Sequence, residues 1–183
     1  MELILIRHAK AFERDTLRWP DDARRPLTEQ GIRDFRRLAK RLGRIVPAVE
    51  LVESSAFERA WATAEILRER TGWPRARRAE RLEPGADEGV GPERMQALAR
   101  SIAAMHSLRT VAWVGHEPML SRLASLLLTG SAGALAIDFA KGAALALRFD
   151  APAAGTTPPD ASSVIGRATL AWMLTPRMVR RMR

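Results

Sequence analysis

The sequence predicts an α/β fold: a three-layer α/β/α sandwich around a mostly parallel central sheet. Three observations predict it. Short apolar runs alternate with longer segments whose apolar residues recur every three to four positions, as strands alternate with amphipathic helices. Gly, Pro and N-cap residues mark most of the boundaries. The last two apolar runs, Ala143 to Phe149 and Thr169 to Leu174, have no helix between them, so one edge of the sheet is expected to be antiparallel and the sheet mixed. A chain of 183 residues is long enough for one such core and short for two, and a single domain is expected over residues 1–183.

Each element has a local reason. Leu3 to Ile6 reads as a buried strand that ends at Arg7 and His8. A loop from Ala9 to Leu27 follows, with Pro20, Pro26 and the paired acids Asp21 and Asp22. Thr28 suits an N-cap, and Leu27 and Ile32 stand where a hydrophobic staple would. Ile32, Phe35, Leu38, Ala39, Leu42 and Val46 then share one helical face, and Pro47 ends the helix. Val49 to Glu53 reads as the second strand. Ser55-Ala56-Phe57-Glu58 has the Ser-x-x-Glu pattern of a capping box, and the helix behind it runs to about Arg70, where Gly72 and Pro74 stop it.

A third strand is expected within Arg77 to Leu82, a loop over Glu83 to Pro92, and a helix marked by Met95, Leu98, Ala99 and Ile102. Thr110 to Val114 is a strand followed by Gly115-His116-Glu117-Pro118. Pro118 is placed at the first helical position, ahead of the stripe Leu120, Leu123, Ala124 and Leu127. Residues 150–166, rich in Pro, Ala, Ser and Thr, read as a flexible loop. Trp61, Trp113 and Trp172 fall where core is expected, Trp19 falls at the mouth of a site in the first loop, and His106 lies near a helix end with no function assigned. Gly89-Val90-Gly91 lacks the strand-turn-helix spacing of a nucleotide-binding fingerprint.

Composition removes several classes of chemistry. There is no cysteine, which excludes a disulfide scaffold, a thiolate-held metal and a thiol nucleophile. No apolar run approaches the ~20 residues of a helical membrane span, and the apolar start is too short for a signal peptide, so a soluble cytoplasmic protein is expected. The net charge is +9, and apart from Lys10, Lys40 and Lys141 every basic residue is arginine. Such a balance suits an anionic partner. The arginine clusters at 24–44, 75–81 and 177–183 are not interleaved with aromatics and Tyr is absent, so charge is only weak support for nucleic-acid binding.

In α/β sheets ligands collect at the carboxyl ends of strands. Three sets of polar residues fall there: Arg7 with His8, Arg59 just beyond Ser54-Ser55, and His116. Phosphoryl transfer needs fixed cations around three charged oxygens, and Arg makes bidentate, permanently charged contacts with them. A neutral imidazole can attack phosphorus and carry it covalently, neighbouring guanidiniums keep that imidazole unprotonated, and a second His can donate a proton. Arg7, His8, Arg59 and His116 supply that set. Three histidines without a His-x-x-x-His pair give no metal site.

These segments resemble the histidine phosphatase superfamily. Leu5-Ile6-Arg7-His8-Ala9 is similar to its signature, with Ala9 where glycine is usual, a departure found in the short bacterial phosphohistidine phosphatases of the SixA type. Arg25-Pro26-Leu27-Thr28 with Gly31 resembles an Arg-Pro-Leu-Thr segment of that group. Ser54 to Ala60 with Thr63-Ala64 resembles the second-arginine segment, and Val114 to Pro118 the second-histidine segment. The resemblance implies a phosphoglycerate mutase-like fold and a metal-independent, cofactor-free reaction. His8 would be the phosphorylated nucleophile, Arg7, Arg59 and His116 would surround the phosphoryl group, and Arg25 would stand near it.

The proton donor stays open between Glu83, the nearer candidate, Glu80, and none. Phosphoimidazole leaves more readily than an alkoxide and depends less on an acid. With the short span from Arg59 to His116, this favours an open site acting on phosphohistidine displayed by a protein. A phosphatase of small esters or activated metabolites is the alternative in the same fold. A non-catalytic phosphoprotein binder is the alternative of another class. Lys10 could add positive potential at the phosphate, and Asp21 or Asp22 could orient Arg25.

Overall fold

The computed structural model describes residues 1–85, 91–150 and 160–182. Its centre is a six-stranded mixed sheet in the order β3-β2-β4-β1-β5-β6. Strands β1 (Glu2–Arg7), β2 (Leu51–Ser54), β3 (Arg77–Arg78) and β4 (Thr110–Gly115) run parallel, while β5 (Ala144–Arg148) is antiparallel to β1 and β6 (Thr169–Leu174) antiparallel to β5. The helices are α1 (Glu29–Ile45), α2 (Glu58–Thr71), α3 (Pro92–Ala103), α4 (Met119–Thr129) and α5 (Pro176–Arg181). The α/β fold with a mixed sheet is thus the one the sequence predicts, down to the antiparallel edge.

Strand alternation divides the core. Leu3 and Leu5 of β1, with Val111 and Trp113 of β4, pack toward α3 and α4. Ile4 and Ile6, with Ala112 and Val114, pack toward α1 and α2. Among the described residues no helix is long and apolar enough to cross a membrane.

The loop after β1 is pinned at its base. Thr28 N donates to Lys10 O at 2.9 Å, Phe12 N to Pro26 O at 3.1 Å, and Ala11 bridges Leu27. Thr28 caps α1 as expected, its hydroxyl accepting from Gly31 N at 3.0 Å. Gly31 is required here, because a β-carbon would lie 2.0 Å from Lys10 O. Helix α1 therefore rests directly on the backbone just past His8.

Several local expectations are corrected. The Ser55–Glu58 capping box does not form: α2 begins at Glu58 with Phe57 as an uncapped N-cap residue. Ser55 Oγ instead accepts from Phe57 N at 3.2 Å and meets His116. The third strand keeps only Arg77 and Arg78, and Glu80–Leu82 turns into a 3-10 helix that sinks Leu82 into the core. Pro118 is the N-cap of α4 rather than its first residue.

In the segment 150–166, Asp160 caps the 3-10 helix Ala161–Ser163, and Gly166 N bonds Leu126 O at the end of α4. Residues 151–159, Gly89-Val90 and Arg183 lie outside the described residues. Trp113 is fully buried as expected, whereas Trp61 and Trp172 are half-buried at the core's edge. Trp73, which carried no expectation, is buried with Nε1 on Val46 O.

Candidate active site

Strands β1, β2 and β4 end at the same edge of the sheet, and the chain leaves each end carrying polar side chains. His8 follows β1 directly. Its backbone is clamped on both sides, N donating to Gly115 O at 3.0 Å and O accepting from Gly142 N at 2.9 Å. Its ring Nδ1 lies 2.8 Å from Ala9 O. A carbonyl only accepts, so Nδ1 carries the proton and Nε2 holds the lone pair. His116, the residue after β4, places its ring centroid 5.0 Å from that of His8.

Both imidazoles are held neutral. Burial first, then the charges of Arg59, Arg7 and Arg25, push His8 down to about 3 against the opposing Ala9 bond. Burial, then His8, Arg59, Arg25 and Arg7, push His116 down to about 2. The same three arginines therefore act on both rings.

Those arginines are fixed by separate anchors. Arg7 Nη1 donates to Phe139 O at 2.7 Å. Arg59, in the first turn of α2, places Nη1 on Asp22 O at 2.8 Å and Nη2 on Asp22 Oδ2 at 3.0 Å. Arg25 places Nε on Asp22 Oδ1 at 2.8 Å and Nη1 on Phe12 O at 2.6 Å. Asp22 thus ties two guanidiniums together. Burial raises its pKa, but the bonds and charges of Arg25 and Arg59 outweigh that and hold the carboxyl below its ordinary range. Asp21 does a different job, capping the 3-10 turn Asp22–Arg24. Arg7 Nε, Arg59 Nε and His116 Nδ1 are buried and have no hydrogen-bond partner among the described residues. Such groups around one nucleophile are suited to a tetrahedral oxyanion.

Sequence reasoning missed three contributors. Thr63 Oγ1 accepts from Ala9 N at 3.0 Å and donates to Arg59 O at 2.6 Å, joining the peptide after the nucleophile to the arginine's helix. Ser55 Oγ lies 2.9 Å from His116 Nε2. Phe57 meets His116 in a T-shaped contact, ring centroids 5.4 Å apart, and lies under the Arg59 guanidinium at 5.0 Å. Each stands within a motif already singled out for its arginine, and only the spacing to that arginine hinted at them.

Neither candidate acid forms a hydrogen bond with the rings among the described residues. Glu83 is half-buried, and its carboxylate accepts from Ala56 N at 3.3 Å, next to Ser55. Glu80 is exposed on the 3-10 turn. Lys10 is exposed, and its carbonyl rather than its amine serves the site's framework. Trp19 packs 5.9 Å from Phe12 and helps line a hollow of about 440 Å³ with Arg18, Arg24 and Glu58. His106 bonds Ala103 O, away from this edge. Among the described residues no three His, Asp or Glu side chains group to hold a metal ion.

Comparisons with known proteins follow this geometry. The family model of the histidine phosphatase superfamily (branch 1) matches residues 3–89. Among solved structures, the protein histidine phosphatase SixA in complex with tungstate is similar at 23% identity and a TM-score of 0.75, over 98% of this chain and 99% of that one. A mycobacterial glucosyl-3-phosphoglycerate phosphatase in complex with VO3 is similar at 21% identity and a TM-score of 0.64, over 93% of this chain and 97% of that one. A search of curated proteins finds no match. The family model thus matches the segment that carries Arg7, His8, Arg25 and Arg59, and the chain has the SixA fold over nearly its whole length.

Proposed function

We propose that this hydrolase is a metal-independent phosphohistidine phosphatase working through a phospho-His8 intermediate, with a phosphorylated histidine-containing protein as substrate. One observation carries the reading: His8 is buried and uncharged, with Nδ1 held by Ala9 O and Nε2 left as the nucleophilic atom beside His116. Nε2 attacks phosphorus, and the phosphorus–nitrogen bond of the substrate breaks as its imidazole leaves and takes up a proton. Water then attacks the phospho-His8 phosphorus, returning His8 and releasing phosphate. Arg7, Arg59 and His116 bind the phosphoryl oxygens, with Arg25 adding charge through the Asp22 tie. The likeness in fold to a protein histidine phosphatase supports the substrate class.

Turnover of phosphoramidate and of a phosphohistidine protein, with acid-labile phosphate trapped on His8, is the expected result. Phosphate trapped on another residue, or equal turnover by His8→Ala, would refute the assignment. Small phosphate esters form the second reading, favoured by the position of Glu83 next to the Ser55 that meets His116. Ester hydrolysis lost in Glu83→Gln, with phosphoramidate turnover retained, would select it.

A further inference from the structure

We infer that a basic groove beside the nucleophile docks an acidic segment of the protein that carries the phosphohistidine, an inference that rests on the phosphohistidine reading above. The groove is a cavity of about 280 Å³ between α1 and α5. Its position follows from the topology. Ala144 of β5 pairs with both Ile6 of β1 and Leu174 of β6, so β6 ends, and α5 begins, at the edge where β1 delivers His8. Its lining includes Ala9, which follows His8, and Gly142, whose N–H bonds the His8 carbonyl. Groove and nucleophile therefore share backbone, and three or four extended residues, about 10–14 Å, bridge neighbouring positions along one edge.

The lining of the groove carries more cations than anions. Lys10, Lys141, Arg177 and Arg180 line it, against Asp34 and Asp138. Asp34 is already engaged, by Arg180 at 3.2 Å and Arg37 at 3.6 Å. Among the described residues Lys141 pairs with the outlying Glu13 alone, at 3.6 Å, and the Glu13 side chain is 82% exposed. Lys10 and Arg177 are exposed and form no ion pair among the described residues. Phe35, the one aromatic in the lining, is buried, so the groove has no platform on which a base could stack. A narrow cleft with apolar walls and free cations suits carboxylate side chains on an extended chain, and the +9 net charge steers such a partner toward it.

The test uses the full chain and the double substitution Lys141→Glu/Arg177→Glu, with Arg75→Glu/Arg77→Glu as an equal charge change elsewhere. At low salt the first variant should lose roughly tenfold or more in kcat/KM on a phosphohistidine protein, chiefly through KM. Its turnover of phosphoramidate should stay within about twofold, and Lys141→Arg/Arg177→Lys should keep wild-type KM. A fluorescein-labelled Glu/Asp peptide, followed by anisotropy, should bind the first variant at least about fivefold more weakly than wild type. An unchanged KM and peptide affinity overturn the proposal, as does an equal loss in Arg75→Glu/Arg77→Glu, which would make the effect one of net charge. A single-stranded oligonucleotide bound more tightly than the peptide, and lost in the same variant, overturns it too. If wild type turns over neither substrate, the catalytic reading fails and the peptide measurement alone decides the groove.

Discussion

His8 and His116 occupy equivalent places and are held in opposite ways. Each is the first residue past a parallel strand, β1 and β4 are neighbours, and both rings are almost fully buried, at 6% and 4% exposure. The difference lies in what each ring touches. His8 spends Nδ1 on a backbone carbonyl, which fixes its tautomer permanently. His116 spends Nε2 on the hydroxyl of Ser55, a group that either donates or accepts, and its Nδ1 has no partner among the described residues. A strand end thus sets where a histidine stands, and its hydrogen-bond partner decides which part in the chemistry it is fitted for: a fixed lone pair suits a nucleophile, and an adjustable proton suits a donor.

The sharpest way to break this contrast is to remove each ring in turn. His8→Ala should lower kcat on phosphoramidate by about 10⁴-fold or more, since no covalent intermediate can form, whereas His116→Ala should cost about 10²–10³-fold, the loss of one donor. Rapid-quench measurement of the phosphoenzyme checks both, and equal losses would erase the distinction in role.

Acid offers the next test. Burial keeps His8 and His116 neutral down to about 3 and about 2, while an unfolded chain protonates each near ~6.5. The unfolded state therefore binds more protons throughout that window. Stability is complete above pH ~6.5 and declines as pH falls, by about 2 kcal/mol per histidine at pH 5. Urea unfolding at pH 7 and pH 5 should show this loss, and His116→Asn should reduce it by about 2 kcal/mol. An undiminished loss would mean that the native His116 protonates freely.

Smaller effects test the supports. Thr63→Val removes the hydroxyl shared by Ala9 N and Arg59 O, and kcat should drop about tenfold with KM on phosphoramidate nearly unchanged; Thr63→Ser should restore it. Ser55→Ala should lower kcat by about five- to tenfold and shift the pH profile, because His116 loses its Nε2 partner while His8 is untouched. A Ser55→Ala profile identical in shape to wild type would leave His116 without the adjustable proton argued for it.

The strand ends were readable because burial and charge conflict there: an apolar run that stops at Arg7-His8, or at Gly115-His116, places polar groups where a sheet delivers them. Three helices were readable from their apolar stripes. Ser55 was misread for a physical reason. Ser-x-x-Glu satisfies the local rule for a helix start, but a neighbouring strand places His116 within reach of the same hydroxyl, and local sequence holds no information about that neighbour. Thr63 was hidden likewise: Arg59 lies one turn back on its own helix, but Ala9 reaches it from beyond the end of β1. The third strand was overextended because Ala79 and Leu82 are apolar for core packing, not for pairing.

The pinned base of the first loop has a consequence for change over time. Lys10 with Thr28 and Phe12 with Pro26 close the loop before its outer residues begin, so that stretches such as 13–20 hang outside the frame that holds the nucleophile. Provided Asp22 and Arg25 stay in place, this outer arc is free to be shortened, lengthened or exchanged between relatives. A lineage could retune what it recognises by editing the rim, while the reacting atoms stay where they are.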